Sequence, residues 1–187
     1  STITEQDKGI IGDEIQIQFR DSLLSHVAVS GNATAFQDLN AKISQADKTK
    51  KTFRNEMSAH HMLGEFHNNK ITILSLLGMA TTNYHLVQNN LVNGVNLASG
   101  DTIKIDFLEN KIDRIQVFGG GRGQFTPENK NTKVDSVVIY SADYLDYHVK
   151  NQKTILQGSA VVEYQGTELT SGHIIADWNN NLLNAAQ

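Results

Sequence analysis

The stretch 100–123, GDTIKIDFLENKIDRIQVFGGGRG, contains two strand-like segments separated by a short polar turn. Its apolar residues fall on alternate positions, which is the period of a half-buried strand. They are Ile103, Ile105 and Phe107 before the turn and Ile115 and Val117 after it. The pattern predicts a β-hairpin with one apolar face, whose second strand ends at Gly119.

The glycine run of this stretch is not typical of a phosphate-binding loop. A phosphate loop ends in Gly-Lys-Ser/Thr, and a dinucleotide fingerprint opens a helix. Residues 119–126, GGGRGQFT, meet neither condition, and no helical apolar pattern follows. The glycines therefore need another explanation.

The hairpin recurs along the chain. Residues 12–35 read GDEIQIQFRDSLLSHVAVSGNATA and residues 60–80 read HHMLGEFHNNKITILSLLGMA, while a looser copy covers 141–162 and the opening of a fifth starts at 171. Phe107 aligns with Phe19, Phe66 and, in the looser copy, Tyr147. The glycine that ends the second strand recurs as Gly31, Gly78, Gly119 and Gly158. A recurrent glycine after a strand predicts a bulge, a bend or a close strand approach in every unit.

The repeats predict one all-β domain over residues 1–187. Hairpin units are expected near 9–36, 57–82, 98–125, 136–164 and 165–187, and residues 34–53 are interpreted as a loop or a short irregular strand. Stacked hairpins bury a continuous apolar stripe that one hairpin cannot bury alone. Because the fifth unit is cut short, we expect either a segment of a longer protein or an open edge completed by a neighbour.

Composition excludes several classes of protein. The chain has 187 residues, of which 39% are hydrophobic, and a net charge of -4. This balance disfavours a nucleic-acid partner, which would require clustered Lys and Arg. Cysteine is absent, so disulfides and thiolate chemistry are excluded. The longest apolar run, ITILSLLGMA, is too short to cross a bilayer.

The block 140–185 resembles the OstA-like (LptA-like) family of periplasmic lipopolysaccharide-transport proteins. The resemblance lies in Ala-Asp with an aromatic residue, a polar turn, an apolar strand ending in glycine, and Leu-Thr leading into another apolar strand and Asp. Here these places hold Ala142, Asp143, Tyr147, Ile155, Gly158, Val161, Val162, Leu169, Thr170, Ile174, Ile175 and Asp177. Residues 37–56 lie outside the resemblance.

The resemblance implies an antiparallel repeat β-jelly-roll, a folded-over sheet of about four to five hairpin units. Its apolar interior would bind the acyl chains of lipopolysaccharide or another acylated lipid, and its terminal strands would pair end to end with other OstA-like domains. The protein would act in the periplasm of a Gram-negative cell, with its export signal removed, peripheral to membranes and without an enzymatic activity. The expected groove lining is Ile15, Ile17, Phe19, Val27, Val29, Leu74, Leu76, Ile103, Ile105, Phe107, Ile115 and Val117.

Other chemistry is weaker in the sequence, and we predict no catalytic residue, metal or cofactor. Adjacent His60 and His61, with His67 nearby, are interpreted as surface or turn residues, since neighbours in a strand face opposite ways. By the same alternation Asp143 and Asp146 should lie on opposite faces, which is unsuited to a glycosidase pair.

The aromatic residues Trp178, Tyr144, Tyr147 and Tyr164 are interpreted as sheet packing rather than sugar platforms. Two alternatives to lipid transport stay open. One is a strand-repeat assembly module with a dry core. The other, less favoured, is a β-protein that binds or cleaves polysaccharide.

Overall fold

The computed structural model describes residues 1–128, 135–178, 180 and 182–186. The strands are β1 Thr2–Glu5, β2 Lys8–Ile11, β3 Glu14–Arg20, β4 Leu23–Ala41, β5 Lys51–His67, β6 Lys70–Gln88, β7 Leu91–Leu108, β8 Lys111–Pro127, β9 Val138–His148, β10 Lys153–Tyr164, β11 Thr167–Asp177 and β12 Leu182–Ala186. Within the described ranges, no helix is long and apolar enough to span a membrane. The expectation of an all-β chain is confirmed.

All twelve strands form one antiparallel sheet. Its order is β1-β2-β4-β5 and onward in sequence to β12, with β3 pairing β4 beside β2. Consecutive strands are joined by tight turns such as Asp21-Ser22, Asn68-Asn69 and Glu109-Asn110, in which both residues have positive φ. These are the polar turns that the sequence predicts, and such turns match the right-handed twist of the strands they connect.

The recurrent glycines lie inside the strands rather than at their ends. Gly31, Gly78, Gly119 and Gly158 all have φ between 71° and 78°, and a second residue with positive φ follows each of them. The pairing register shifts at each of these sites. The predicted bulge is therefore confirmed, whereas the expectation that the second strand ends at Gly119 is wrong, because β8 continues to Pro127.

The bulges align across the sheet and divide it into two halves. We define the lower half as the segments 14–30, 61–77, 102–118, 144–157 and 173–177 together with β12. The upper half consists of the segments 2–11, 33–41, 51–59, 80–100, 121–127, 138–142 and 160–171. The sequence repeats correspond to the lower half and its bulges. The upper half contains the parts of the strands that the sequence pattern did not predict.

A row of small residues borders the bulges on the inner side of the upper half. Following the register from β4 to β10, it consists of Ala33, Ala59, Ala80, Gly100, Gly121, Ala142 and Ala160, and Gly12, directly after β2, continues the row. A Cβ at Gly121 would meet the side chain of Leu145, and one at Gly100 would meet Val117. The larger residues of the lower half therefore occupy the space that the small row leaves free.

The two halves fold toward each other around one core. The buried cluster combines lower-half residues such as Leu76 and Ile103 with upper-half residues such as Tyr140 and Val162. A flat sheet would keep these residues apart, because each strand residue adds about 3.3 Å. The fold is thus the folded-over sheet that the resemblance implies.

For the segment 34–53 the sequence predicts a loop or a short irregular strand, but both of its ends belong to long regular strands, and only residues 42–50 lie between them. β4 extends to Ala41 and β5 begins at Lys51, and the two pair along 33–41. Lys42 then forms a parallel bridge with Leu91, with its N–H donating to the Asn90 carbonyl at 2.8 Å. This contact closes the upper end of the fold over Ala41, which is fully buried.

Replacing Gly119 by Ala should destabilise the fold more than replacing Gly120. Both have positive φ, so each alanine carries a strain of about 1–2 kcal/mol. Only at Gly119 would the new methyl group collide with a side chain, that of Asp101, while nothing lies within 4 Å at Gly120. Urea unfolding should therefore give Gly119→Ala a loss larger than that of Gly120→Ala by about 1 kcal/mol or more. Equal losses would show that Asp101 does not pack against the bulge.

Candidate functional site

The twelve residues predicted to line a groove lie on one face of the lower half, in cross-strand rows. The first row reads Ile15, Val29, Met62, Leu76, Ile103, Val117, Leu145, Leu156 and Ile174. The second reads Ile17, Val27, Gly64, Leu74, Ile105, Ile115, Tyr147, Thr154 and Ala176. Phe19 and Phe107 lie beyond the second row, next to the turns. Sequence alternation thus grouped these residues on a single face, while their role as a binding surface stays a prediction.

The burial of this face changes across the sheet. Leu76, Ile103 and Ile105 are fully buried in the packed centre. At the N-terminal edge, by contrast, Ile17 is 44% exposed and Phe19 is 67% exposed. The inner face is therefore covered in the middle of the sheet and open to solvent along β3.

Sequence reasoning missed the continuation of both rows into β9, β10 and β11. Tyr147 lies in the row of Ile105, not in the place of Phe107 as the alignment of the repeats suggests. The register shifts beside Phe19, Phe66 and Phe107, but between β9 and β10 it shifts only at the glycine bulge. The missing bulge and the longer turn explain why the fourth unit is one residue shorter between the aromatic residue and glycine.

Half-buried Tyr147 and buried Tyr140 show how closely the halves approach. Burial raises the pKa of Tyr147 to about 12, with a smaller contribution from the nearby hydroxyl of Tyr84, which belongs to the upper half. Burial also raises the pKa of Tyr140 to about 12, although its O–H donates to Asn96 Oδ1 at 2.7 Å. The centre of the inner face therefore combines packed apolar side chains with a few polar groups, of which the Tyr140 hydroxyl is hydrogen-bonded.

The remaining candidate residues make structural contacts with other described residues. His60 packs against Gly78, and among the described residues no group of three His, Cys, Asp or Glu side chains could hold a metal ion. The Trp178 indole N–H donates to Thr154 Oγ1 at 2.8 Å, and Tyr164 donates to Asp135 at 2.7 Å. Tyr144 packs against Phe118 with ring centroids 5.1 Å apart.

Asp143 and Asp146 lie on the same outer face, so the expectation of opposite faces is wrong. The bulge places two residues, Asp143 and Tyr144, between the inward-facing Ala142 and Leu145, which shifts the alternation by one. Asp146 is nevertheless engaged, since Arg114 Nε and Nη2 donate to its two oxygens at 2.7 and 2.6 Å. This pair ties β8 to β9.

No protein-family model matches the sequence, and no curated protein is similar to it. Among solved structures, the chain is similar to LptH of Pseudomonas aeruginosa, the LptA-homologous periplasmic component of the lipopolysaccharide transport device of that organism. The TM-score is 0.55 at 14% identity, over 71% of this chain and 82% of LptH. The two proteins share a fold. At this identity the similarity to LptH concerns the β-jelly-roll architecture and not the sequence family.

Replacing Asp146 by Asn should lower stability by about 1–2 kcal/mol at neutral pH, because the hydrogen bonds of Arg114 lose their ionised acceptor. Burial opposes ionisation of Asp146, but hydrogen bonding to Arg114 and the charges of His148 and Arg114 outweigh it and lower its pKa below 3.8. The difference in the free energy of unfolding between the wild type and Asp146→Asn should therefore be largest above that value and should shrink as the pH falls through the lowered pKa. Urea unfolding at several pH values measures the difference.

The matched control for this experiment is Asp38→Asn, because Asp38 accepts the same two kinds of hydrogen bond from Arg54 but the pair is more exposed and contributes less. An Asp146→Asn deficit that stays constant from neutral pH to below pH 3 would contradict the role of the ionised pair.

Proposed function

We propose that this protein is a non-enzymatic lipid carrier that binds the acyl chains of lipopolysaccharide, or of another acylated lipid, on the inner face of its folded sheet and acts as a bridge component in a periplasm. The observation that supports this most directly is the uncovered inner face of β3. There, Ile17 and Phe19 continue the buried apolar rows out into solvent. The fold shared with the lipopolysaccharide-transport component LptH supports the same class of function.

An acyl chain would first bind where the two apolar rows are exposed, on β3. A chain lying on Ile17 and Phe19 would bury apolar surface, at about 25 cal/mol per Å². Further entry requires the halves to separate, since Leu76 and Ile105 are fully covered. Binding therefore begins at the N-terminal edge and proceeds by displacing contacts between the halves.

Phe19→Asp is expected to weaken lipid binding without unfolding the protein. Phe19 is exposed, so a carboxylate there costs little in the free protein, but it must be desolvated when a lipid tail covers it. We expect about a tenfold or larger loss of lipopolysaccharide binding, measured by native mass spectrometry with added lipopolysaccharide. Ile105 is unsuitable for this test, because a charge at a fully buried position would unfold the core.

Gln18→Asp is the matched control, since Gln18 is the exposed neighbour on the opposite face of β3. It should bind lipid like the wild type. If Phe19→Asp and Gln18→Asp bind equally well, or if the wild type takes up no lipid, the carrier proposal is wrong. The second result would favour the assembly module, which the fully packed centre of the core also suits.

End-to-end pairing with a similar domain is the second part of the proposal. The sheet is open at β1 and β3 on one side and at β11 and β12 on the other, and exposed strand edges readily pair with other strands. Counting strands from β3 to β12, the last strand of one copy would be antiparallel to β3 of the next. Exposed Leu182 and Leu183 of β12 would add apolar contact there.

Mixing a Gln16→Cys protein with an Asn184→Cys protein tests this pairing. Both positions lie in one row of the outer face, on the two edge strands, and the chain has no cysteine of its own. A disulfide-linked dimer is expected on mild oxidation. A mixture in which Arg54→Cys replaces Asn184→Cys is the control, since Arg54 lies away from both edges. Equal yields in the two mixtures would contradict edge pairing.

A further inference from the structure

The end of the β4–β5 hairpin separates from the rest of the sheet. We call this part, residues 39–55, the flap. It consists of the end of β4, the loop 42–50 and the beginning of β5. The two strands stay paired along the flap, up to Ala41 opposite Lys51. The register of β5 with β6, by contrast, begins only at Glu56, opposite Asn83. Beyond that pair the flap is a two-stranded extension that has left β6.

The tip of the flap contacts β7, although β5 and β6 lie between β4 and β7 in the sheet. The Lys42 N–H donates to the Asn90 carbonyl at 2.8 Å, and the Val92 N–H donates to the Lys42 carbonyl at 2.8 Å. Neighbouring strands lie about 4.8 Å apart, so β4 and β7 would be about 14 Å apart in a flat sheet. The flap must therefore curl over one face of the sheet to form this bridge.

Burial shows that the flap curls over the inner face. Ala41 and Val92 are fully buried, and Asn55 is only 6% exposed. Thr52 and Arg54, which alternate with Asn55 along β5 and lie on the other side of the flap, are exposed. Curling in the opposite direction would have buried the second set. The flap thus covers the upper end of the same face that carries the apolar rows.

The flap is held on β6 by side-chain contacts rather than by a continuous backbone ladder. Asn55 Oδ1 accepts a hydrogen bond from the His85 backbone N–H at 2.8 Å. The Phe53 ring packs against the His85 ring, with centroids 5.2 Å apart. Segments with fewer backbone hydrogen bonds to their neighbours open at a lower free energy than central strands do. The flap should therefore open while β6 and β7 stay paired.

The loop of the flap is folded on itself. The Asp47 carboxylate accepts hydrogen bonds from the backbone N–H groups of Ile43 and Ser44, at 3.1 and 2.9 Å. Lys48 and Lys50 are exposed, so they are hydrated whether the flap is closed or open. The flap can therefore move as one unit about the point where β5 leaves β6.

We propose that the flap is a lid over the upper end of the inner face, closed in the empty protein and opened when an acyl chain lies against β6 and β7. This inference rests on the lipid-carrier function proposed above. A ligand that requires the open form binds with an affinity reduced in proportion to the fraction of open molecules. The lid therefore controls how tightly the protein holds its lipid, and its closing favours release.

A disulfide across the bridge tests the lid. Lys42→Cys and Leu91→Cys are combined in one protein, because these residues are paired in the bridge and the chain has no cysteine of its own. The oxidised protein should bind added lipopolysaccharide about tenfold or more weakly than the same protein after reduction, measured by native mass spectrometry. Equal binding in the two states would overturn the lid.

Glu163→Cys combined with Glu168→Cys is the matched control. It cross-links exposed, paired positions of β10 and β11, which stay together whether the lid is open or closed. Its lipid binding should be the same before and after reduction. If the wild type and both reduced proteins take up no lipopolysaccharide, the carrier function itself is wrong, and the lid with it.

Hydrogen exchange tests the lid without introduced cysteines. In the free wild type, the bridge amides of Lys42 and Val92 should exchange about tenfold or more faster than those of Leu76 and Ile103 in the centre of β6 and β7. Added lipopolysaccharide should make the bridge amides exchange faster still, because the bound lipid favours the open lid. Equal rates in the free protein, or bridge amides that do not exchange faster with lipid, would overturn the proposal.

Asn55→Ala should favour the open lid, because the His85 N–H loses its acceptor in the closed form and can bond to water in the open form. Exchange at the bridge amides should become about two- to tenfold faster, and lipopolysaccharide binding should become tighter by up to the same factor. Asn184→Ala, at an exposed position of β12, is the control and should change neither. Faster exchange in Asn55→Ala without tighter lipid binding would overturn the lid, as would unchanged exchange.

Discussion

The left-handed backbone at the four glycine bulges is the constraint on which the rest of the structure depends. Each bulge inserts residues into one strand, shifts the pairing register and bends the strand where its neighbours also bend. Because the bulges are aligned, the local bends add up to a single fold line across the sheet. A side chain lies over each glycine, Asp101 over Gly119 for example, so a larger residue would have to displace it.

The fold line in turn determines which residues can form the core. Beside the fold line the inward-facing residues of the upper side are Ala or Gly, and a side chain added at Gly12, Gly100 or Gly121 would meet Val29, Val117 or Leu145 of the lower side. Further from the line the halves diverge, and larger residues such as Tyr140 and Tyr84 fill the space. The inward-facing side chains of the upper half therefore become larger with distance from the fold line, although each strand is continuous.

This gradation explains which parts of the fold the sequence could predict. The lower half has Ile, Val and Phe at alternate positions, a strong period-two signal, and its turns contain Asn and Asp pairs that favour positive φ. The upper half faces inward with alanine, glycine, Thr82 and Asn55, so its hydrophobic alternation is weak and its strands resemble loops in sequence. Bulges also make it hard to predict on which face a side chain lies, as for Asp143 and Asp146, because one inserted residue reverses the face of every residue that follows it in the strand.

The same geometry accounts for the separation of surfaces on this protein. The apolar stripe of a bent sheet is buried where the two halves face each other and is exposed where one half extends past the other. The second case applies to β3, where Ile17 and Phe19 are exposed. Bending also makes the opposite face convex, and the residues at the second bulge position, Asn32, Met79, Gly120 and Ser159, are all exposed there. One backbone device, repeated four times, thus produces an inner apolar surface that is open at the sheet edge and a convex outer surface.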